Sequence, residues 1–251
     1  MKKQLRISLV TAAVLLAASS AAFAGHYKGE NYKGEAMPAP CPTPLTLRDG
    51  FYLGGQVGYD SYRVRQSITA SDIDGDSFSY NPVLNPAGWV GGVLAGYGQY
   101  FSDMYYIGGE IFINGSNANT SYNVNSTNVD GAVVETSNYH TKVSVGTSYG
   151  ISLLPGMKLN EATLAYIRLG YNRARIKGSQ TFTSGAFTFS NSNSNWSSGF
   201  NYGLGMESTF YPQWSARGEY THTNYGSFNS GGSHFSPSDN QFMAAIIYHF
   251  A

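Results

Sequence analysis

Six charged residues share one parity of alternating apolar and polar segments: Glu110, Lys142, Arg168, Glu207, Arg217 and Glu219. Three acids and three bases on the small, polar face of a set of strands imply a paired network, because an unpaired charge in an enclosed space is expensive. Arg173, Arg175 and Lys177 continue the opposite parity just past Tyr171, and guanidinium groups at that spacing suit phosphate. Asp72, Asp74 and Asp76 have the spacing of a calcium loop. Ser77 stands where that motif needs Gly and Val83 where it needs a bidentate Glu, so they read as a solvated acidic loop and no metal site is expected. His140 and His249 fall singly on the inward parity, without a metal partner. Cys41 is the chain's one cysteine, which excludes an intramolecular disulfide. No nucleophile–base pair can be assembled, so neither catalytic residues nor a cofactor are expected.

The elements that must hold these residues are strands of period two. Phe51, Leu53, Gly55, Val57 and Tyr59 form one face of the first, with Tyr52, Gly54, Gln56, Gly58 and Asp60 opposite. Seven more segments alternate in the same way, and the last carries Phe242, Ala244, Ile246, Tyr248 and Phe250 on one face. Short turns are expected at 102–104, Pro155–Gly156 and Pro212–Gln213. Ser-, Asn-, Gly- and Thr-rich loops are expected near 65–86, 116–137, 178–195 and 226–239. Aromatics mark both ends of the apolar stripes, as in the interfacial girdles of a membrane barrel. The pattern predicts an all-β fold, an eight-stranded antiparallel transmembrane β-barrel with short periplasmic turns and four long extracellular loops. A soluble barrel would put the apolar face inside.

The chain opens with an export signal. Lys2, Lys3 and Arg6 precede an apolar run from Ile7 to Ala18, and Ala22-Phe23-Ala24 supplies a small-x-small cleavage pattern. Residues 1–24 are expected to be a cleaved signal peptide and 25–49 a flexible, Pro-rich periplasmic leader with two Tyr-Lys-Gly-Glu copies. The barrel is expected over 50–251. Loss of the three N-terminal bases leaves twelve basic against fifteen acidic residues, which gives nucleic acid no electrostatic foothold.

Gly50-Phe51-Tyr52-Leu53-Gly54-Gly55-Gln56-Val57-Gly58-Tyr59 resembles the first strand of the small Gram-negative outer-membrane barrels related to opacity proteins and the OmpA transmembrane domain. Arg217-Gly218-Glu219-Tyr220, ending in Tyr225-Gly226, is similar to that family's penultimate strand. The terminal stripe resembles the signal read by the barrel-assembly machinery, with Ala251 after the usual final Phe and Ala245 where Gly is common. In that setting Arg173, Arg175 and Lys177 become a site for lipopolysaccharide. Outer-membrane lipid A deacylases place a His and a Ser two residues apart on the wall. Here His222 is followed by Asn224, so the nucleophile is missing. The expected partners are outer-membrane lipid, lipopolysaccharide, the assembly machinery and a host-surface molecule. The expected function is an adhesin-like structural surface protein acting through its loops, with a narrow porin-like diffusion channel as the alternative and a lipid-modifying enzyme behind both.

Overall fold

Alternation becomes a closed wall because each strand's two edges find an antiparallel neighbour. The computed structural model describes residues 45–71, 77–80, 83–130, 133–184, 187–230 and 233–250. The export signal, the repeat, Cys41 and the Asp72–Asp74–Asp76 run lie outside the described residues. The strands are β1 (Gly50–Ser71), β2 (Ser77–Tyr80), β3 (Val83–Leu84), β4 (Ala87–Phe101), β5 (Tyr105–Ser116) and β6 (Asn119–Asp130). They continue with β7 (Val133–Asn160), β8 (Thr163–Ser184), β9 (Phe187–Tyr211), β10 (Trp214–Tyr225), β11 (Phe228–Ser230) and β12 (Ser233–His249).

Eight of them form the ring β1-β4-β5-β7-β8-β9-β10-β12, and β12 closes on β1 from Tyr52↔His249 to Ile68↔Ser233. A closed ring leaves no unpaired edge for lipid to meet. Among the described residues no helix is long and apolar enough to cross a membrane; the crossing is made by strands. The apolar parity faces out: Phe51, Leu53, Ile111, Ile151, Leu204 and Ile246 are exposed, while Tyr52, Glu110, Ser152, Arg168 and Ile247 are buried inside.

Two turns fall where their residues predict. Ser102 and Asp103 take φ 51° and 58°, consecutive left-handed conformations that match the twist of a tight hairpin, and Gln213 has φ 74°. The third does not. Pro155 and Gly156 lie inside β7, opposite Ile107 and Tyr106, and the β7–β8 register is the same on either side of them. Proline there forgoes one ladder donor and no more. The chain reverses at Glu161–Ala162, where Asn160 Oδ1 accepts the Ala162 N–H at 2.9 Å.

The long connections also differ from loops. β8 and β9 stay paired to Ser184↔Phe187, and β6 pairs with β7 throughout its length. Thr, Val and Phe interspersed among Ser and Asn keep the strand alternation, so ladders run far past the outer aromatics as ribbons.

One irregularity reassigns side chains. The β7–β8 register shifts between Val145 and Ser148, a β-bulge at Gly146–Thr147. An extra residue reverses parity. Val143 and Val145 therefore point inward, and Lys142 is exposed on the outer wall.

The interior fills in layers. Leu47, Tyr106, Leu154, Leu164 and Tyr166 close the periplasmic end. Leu47, just ahead of β1, is anchored by its N–H to the Glu161 carbonyl at 2.9 Å. Tyr62, Ala118, Val145, Ala174 and Tyr225 form a further cluster, and Val64, Leu84, Val143 and Ile176 another beyond it, toward the outer ribbons. Inward glycines make room for rings between these layers. A Cβ on Gly205 would sit 2.2 Å from Tyr166 Cζ, and one on Gly96 would sit 2.4 Å from the Tyr52 ring.

Candidate functional site

Five of the six inward charges meet in one buried network. Arg217 of β10 bonds Glu207 of β9 through Nε at 3.1 Å and Nη2 at 2.8 Å, and reaches Glu110 of β5 through Nη1. Arg168 of β8 also pairs with Glu110 and donates to Ser152 Oγ at 2.9 Å. Its Nε lies 2.7 Å from Glu219 Oε1, close for an ion pair but too bent for a hydrogen bond. Tyr52 and Tyr166 hold the Arg217 guanidinium between them, each ring 5.3 Å away, and donate their hydroxyls to Glu110 and Glu219. The glycines opposite these tyrosines thus carry a direct consequence for charge placement.

Lys142 does not belong to the network. The bulge turns it outward, and the inward base that the parity pattern left alone takes its part: His249 Nε2 lies 2.7 Å from Glu207 Oε1, and Ser215 Oγ donates to the same oxygen at 2.5 Å. His140 is likewise off the lumen, beside Asn123 of β6.

Above the charges is a polar layer with a cavity of about 10 Å³, lined among others by Gln56, Asn114, Asn172, Asn201 and Thr223. Two buried carboxylates follow. Asp60 accepts from Gln241 Nε2 at 2.7 Å, and Asp239 lies opposite Tyr62, whose ring stacks on Tyr225 with centroids 6.3 Å apart. Three residues beyond Phe242, Asp239 is pushed well above the ordinary carboxylate range by burial and by the neighbouring charge of Asp60. Sequence reasoning missed Asp239 because it fell in a segment read as loop.

On the wall, aromatic pairs mark two levels. Phe51–Tyr97 and Trp214–Tyr248 lie at one, with ring centroids 4.9 and 5.1 Å apart. Tyr59–Trp89, Tyr149–Trp196 and Tyr220–Phe242 lie at the other, at 6.0, 5.5 and 4.8 Å. About nine residues separate the levels on β1, which suits a tilted membrane strand of roughly 9–11 residues. Phe242, Ala244, Ile246 and Tyr248 face lipid opposite Tyr59, Val57, Gly55 and Leu53, and Phe250 donates its N–H to the Phe51 carbonyl at 2.9 Å. Arg173, Arg175 and Lys177 project outward just past the outer level.

The model of the outer membrane protein beta-barrel domain matches residues 10–250. The chain belongs to that family. It is 30% identical over 132 residues to outer membrane protein P1 of Coxiella burnetii, covering 51% of this chain and about half, 50%, of that relative's length. It is 24% identical over 220 residues to the 31 kDa outer-membrane immunogenic protein of Brucella melitensis, covering 86% of this chain and 88% of that one. Among solved structures it is similar to Neisserial surface protein A, at 15% identity and a TM-score of 0.42 over 80% of this chain and 97% of that chain. As a member of that family, the chain has its apolar wall in the lipid of the outer membrane and its ribbons outside.

His222 sits on that wall, 5.3 Å from the Tyr202 ring. Its Nδ1 lies 2.8 Å from Asn240 Oδ1 and its Nε2 3.1 Å from Asn224 Oδ1. Both ring nitrogens meet amides where a hydrolase would present a hydroxyl.

Proposed function

We propose that this outer-membrane barrel is an adhesin-like surface protein and that its outer ribbons, not its lumen, meet the partner. The observation that carries this reading is the end of the β8–β9 ribbon. Phe187 is 82% exposed and Phe189, paired with Phe182, is 68% exposed. Phe182 lies eleven residues past the outer aromatic Tyr171, or roughly 35 Å along a strand. These rings are too far out to be covered by the bilayer, and apolar groups held in water on an ordered ribbon suit a binding surface. The serines and asparagines around them supply adaptable hydrogen bonding.

The filled lumen supports this reading over a diffusion channel. Leu154 and Ile247 are fully buried, and apolar layers lie on both sides of the charge network. An eight-stranded barrel is only wide enough for side chains to fill it.

The test is adhesion of a laboratory Gram-negative host displaying the barrel to cultured host cells and matrix proteins. A strain with 179–192 replaced by a tight turn and one carrying Phe187→Ser with Phe189→Ser run beside it. Adhesion lost in both supports the proposal. Equal adhesion in all three strains, or none in any, overturns it.

A further inference from the structure

The bulge in β7 does more than remove a lysine from the lumen. It delivers Lys142 to the outer wall beside three other cations. Lys142 lies opposite Ser179 of β8 and Ser144 opposite Lys177, so Lys142 and Lys177 are diagonal neighbours on one face, about 7–8 Å apart. Arg175 and Arg173 follow on β8 at two-residue steps, all four exposed. Arg175 faces the bulge itself, where the β7 ladder skips from Val145 to Ser148.

Two of the four are already held in place. Trp196 of β9 lies opposite Arg175, and the Arg173 guanidinium rests 5.7 Å from its ring. Arg175 Nε donates to Ser194 Oγ at 2.8 Å. Among the described residues no carboxylate pairs with any of the four. The lumen, by contrast, pairs both of its arginines with buried glutamates. Cations preorganised without a counter-charge are a site waiting for an anion.

Depth selects which anion. Tyr149, Trp196 and Tyr171 form the outer aromatic level on these three strands, and aromatic belts lie at the headgroups. The four cations begin within two residues of that level. We propose that the outward face of β7, β8 and β9, through Lys142, Arg173, Arg175 and Lys177, binds the phosphates of lipopolysaccharide in the outer leaflet. The aliphatic stems lie along the wall toward the acyl chains while the charged heads meet the glucosamine phosphates.

The experiment uses the chain from residue 25, refolded in phosphatidylcholine nanodiscs, with Trp89 and Trp214 changed to Phe so that Trp196 alone reports. Titration with bis-phosphorylated lipid A is expected to shift Trp196 emission saturably. Triple substitution of Lys142, Arg175 and Lys177 by Gln, in a barrel that still migrates as folded without boiling, is expected to weaken that binding by at least about tenfold. Raising salt to about 0.5 M should weaken it in the parent, since the cluster is exposed to screening. Dephosphorylated lipid A should give no saturable shift. Equal binding by the triple variant, or by dephosphorylated lipid A, overturns the proposal. Phosphatidylglycerol binding as tightly as lipid A overturns it too, by reducing the cluster to an unselective anionic-lipid contact. Phe187→Ser with Phe189→Ser leaves this titration unchanged, so failure of the adhesion reading is separable from failure of this one.

Discussion

Replacing Arg217 by Met tests whether the lumen network carries the stability of the barrel. Arg217 makes two bonds to Glu207 and one to Glu110, and the Tyr52 and Tyr166 rings exclude water from its plane. Methionine keeps the unbranched stem but removes the charge. Glu110, Glu207 and Glu219 then face Arg168 alone, with His249 at Glu207 as the one other base. Removing one partner of a buried pair costs about 3–5 kcal/mol, chiefly because the other charge stays buried. The double variant Arg217→Met/Glu207→Gln removes part of the stranded charge. It should regain roughly 1–3 kcal/mol relative to the sum of the two single changes, the coupling expected of side chains in direct contact. The assay is the urea midpoint of the barrel in lipid vesicles, read by tryptophan emission and by the mobility of unboiled samples. A loss under about 1 kcal/mol in Arg217→Met would mean that water reaches the network. Strictly additive double-variant losses would mean that Arg217 and Glu207 do not act as a pair, and either result refutes the reasoning.

The glycine–tyrosine packing predicts that Gly205→Leu, which collides with the Tyr166 ring, costs about 1–3 kcal/mol or prevents folding. Gly109→Ala on the lipid face, where a Cβ meets nothing within 4 Å, should stay within about 0.5 kcal/mol in the same urea assay. Asp239 holds a proton more tightly in the folded barrel than in the unfolded chain, so its share of stability is present in acid and lost as pH rises through its raised value. As pH rises above the ordinary aspartate value of about 3.9, the urea midpoint of the parent should therefore fall relative to that of Asp239→Asn; parallel profiles would count against the buried pair. In a Cys41→Ser background, Lys142→Cys should react with a membrane-impermeant maleimide on intact cells while Ser152→Cys does not. Labelling of both, or of neither, would contradict the bulge.

What could be read from the chain follows from what period two can encode. Outward Phe51, Leu53, Val57 and Tyr59, with inward Tyr52 and Asp60, specify a strand, its two faces and its solvent. The same parity places Glu110, Arg168, Glu207, Arg217 and Glu219 in the lumen. It fails where one residue is inserted: Lys142 sits four residues before Gly146, and nothing local to Lys142 reports that the count has slipped. Gly146-Thr147 was the available signal, a small residue in mid-strand, but small residues recur in almost every strand here. Pro155-Gly156 misled for the opposite reason. Its turn chemistry is local, whereas the register on either side is held by neighbours in β5 and β8. The His249–Glu207 contact joins residues 42 apart in sequence, and only closure of β12 onto the ring brings them together.

The slip at Gly146–Thr147 is the one that bears on function: it takes Lys142 out of the lumen, where His249, already on the inward parity, meets Glu207. Without Lys142, the lumen sets His249 and Ser215 against Glu207, at 2.7 and 2.5 Å from the same carboxylate oxygen. The wall gains a fourth cation at headgroup depth, beside arginines already braced by Trp196 and Ser194. A single inserted residue thus separates two electrostatic tasks that an unbroken strand would have merged: neutrality within, and a patch of uncompensated charge facing the anionic leaflet. If that separation matters, deleting Thr147 should restore parity and turn Lys142 inward. The result would be a barrel with both a destabilised lumen and weakened lipid A binding, two losses that no single side-chain substitution in either place produces together.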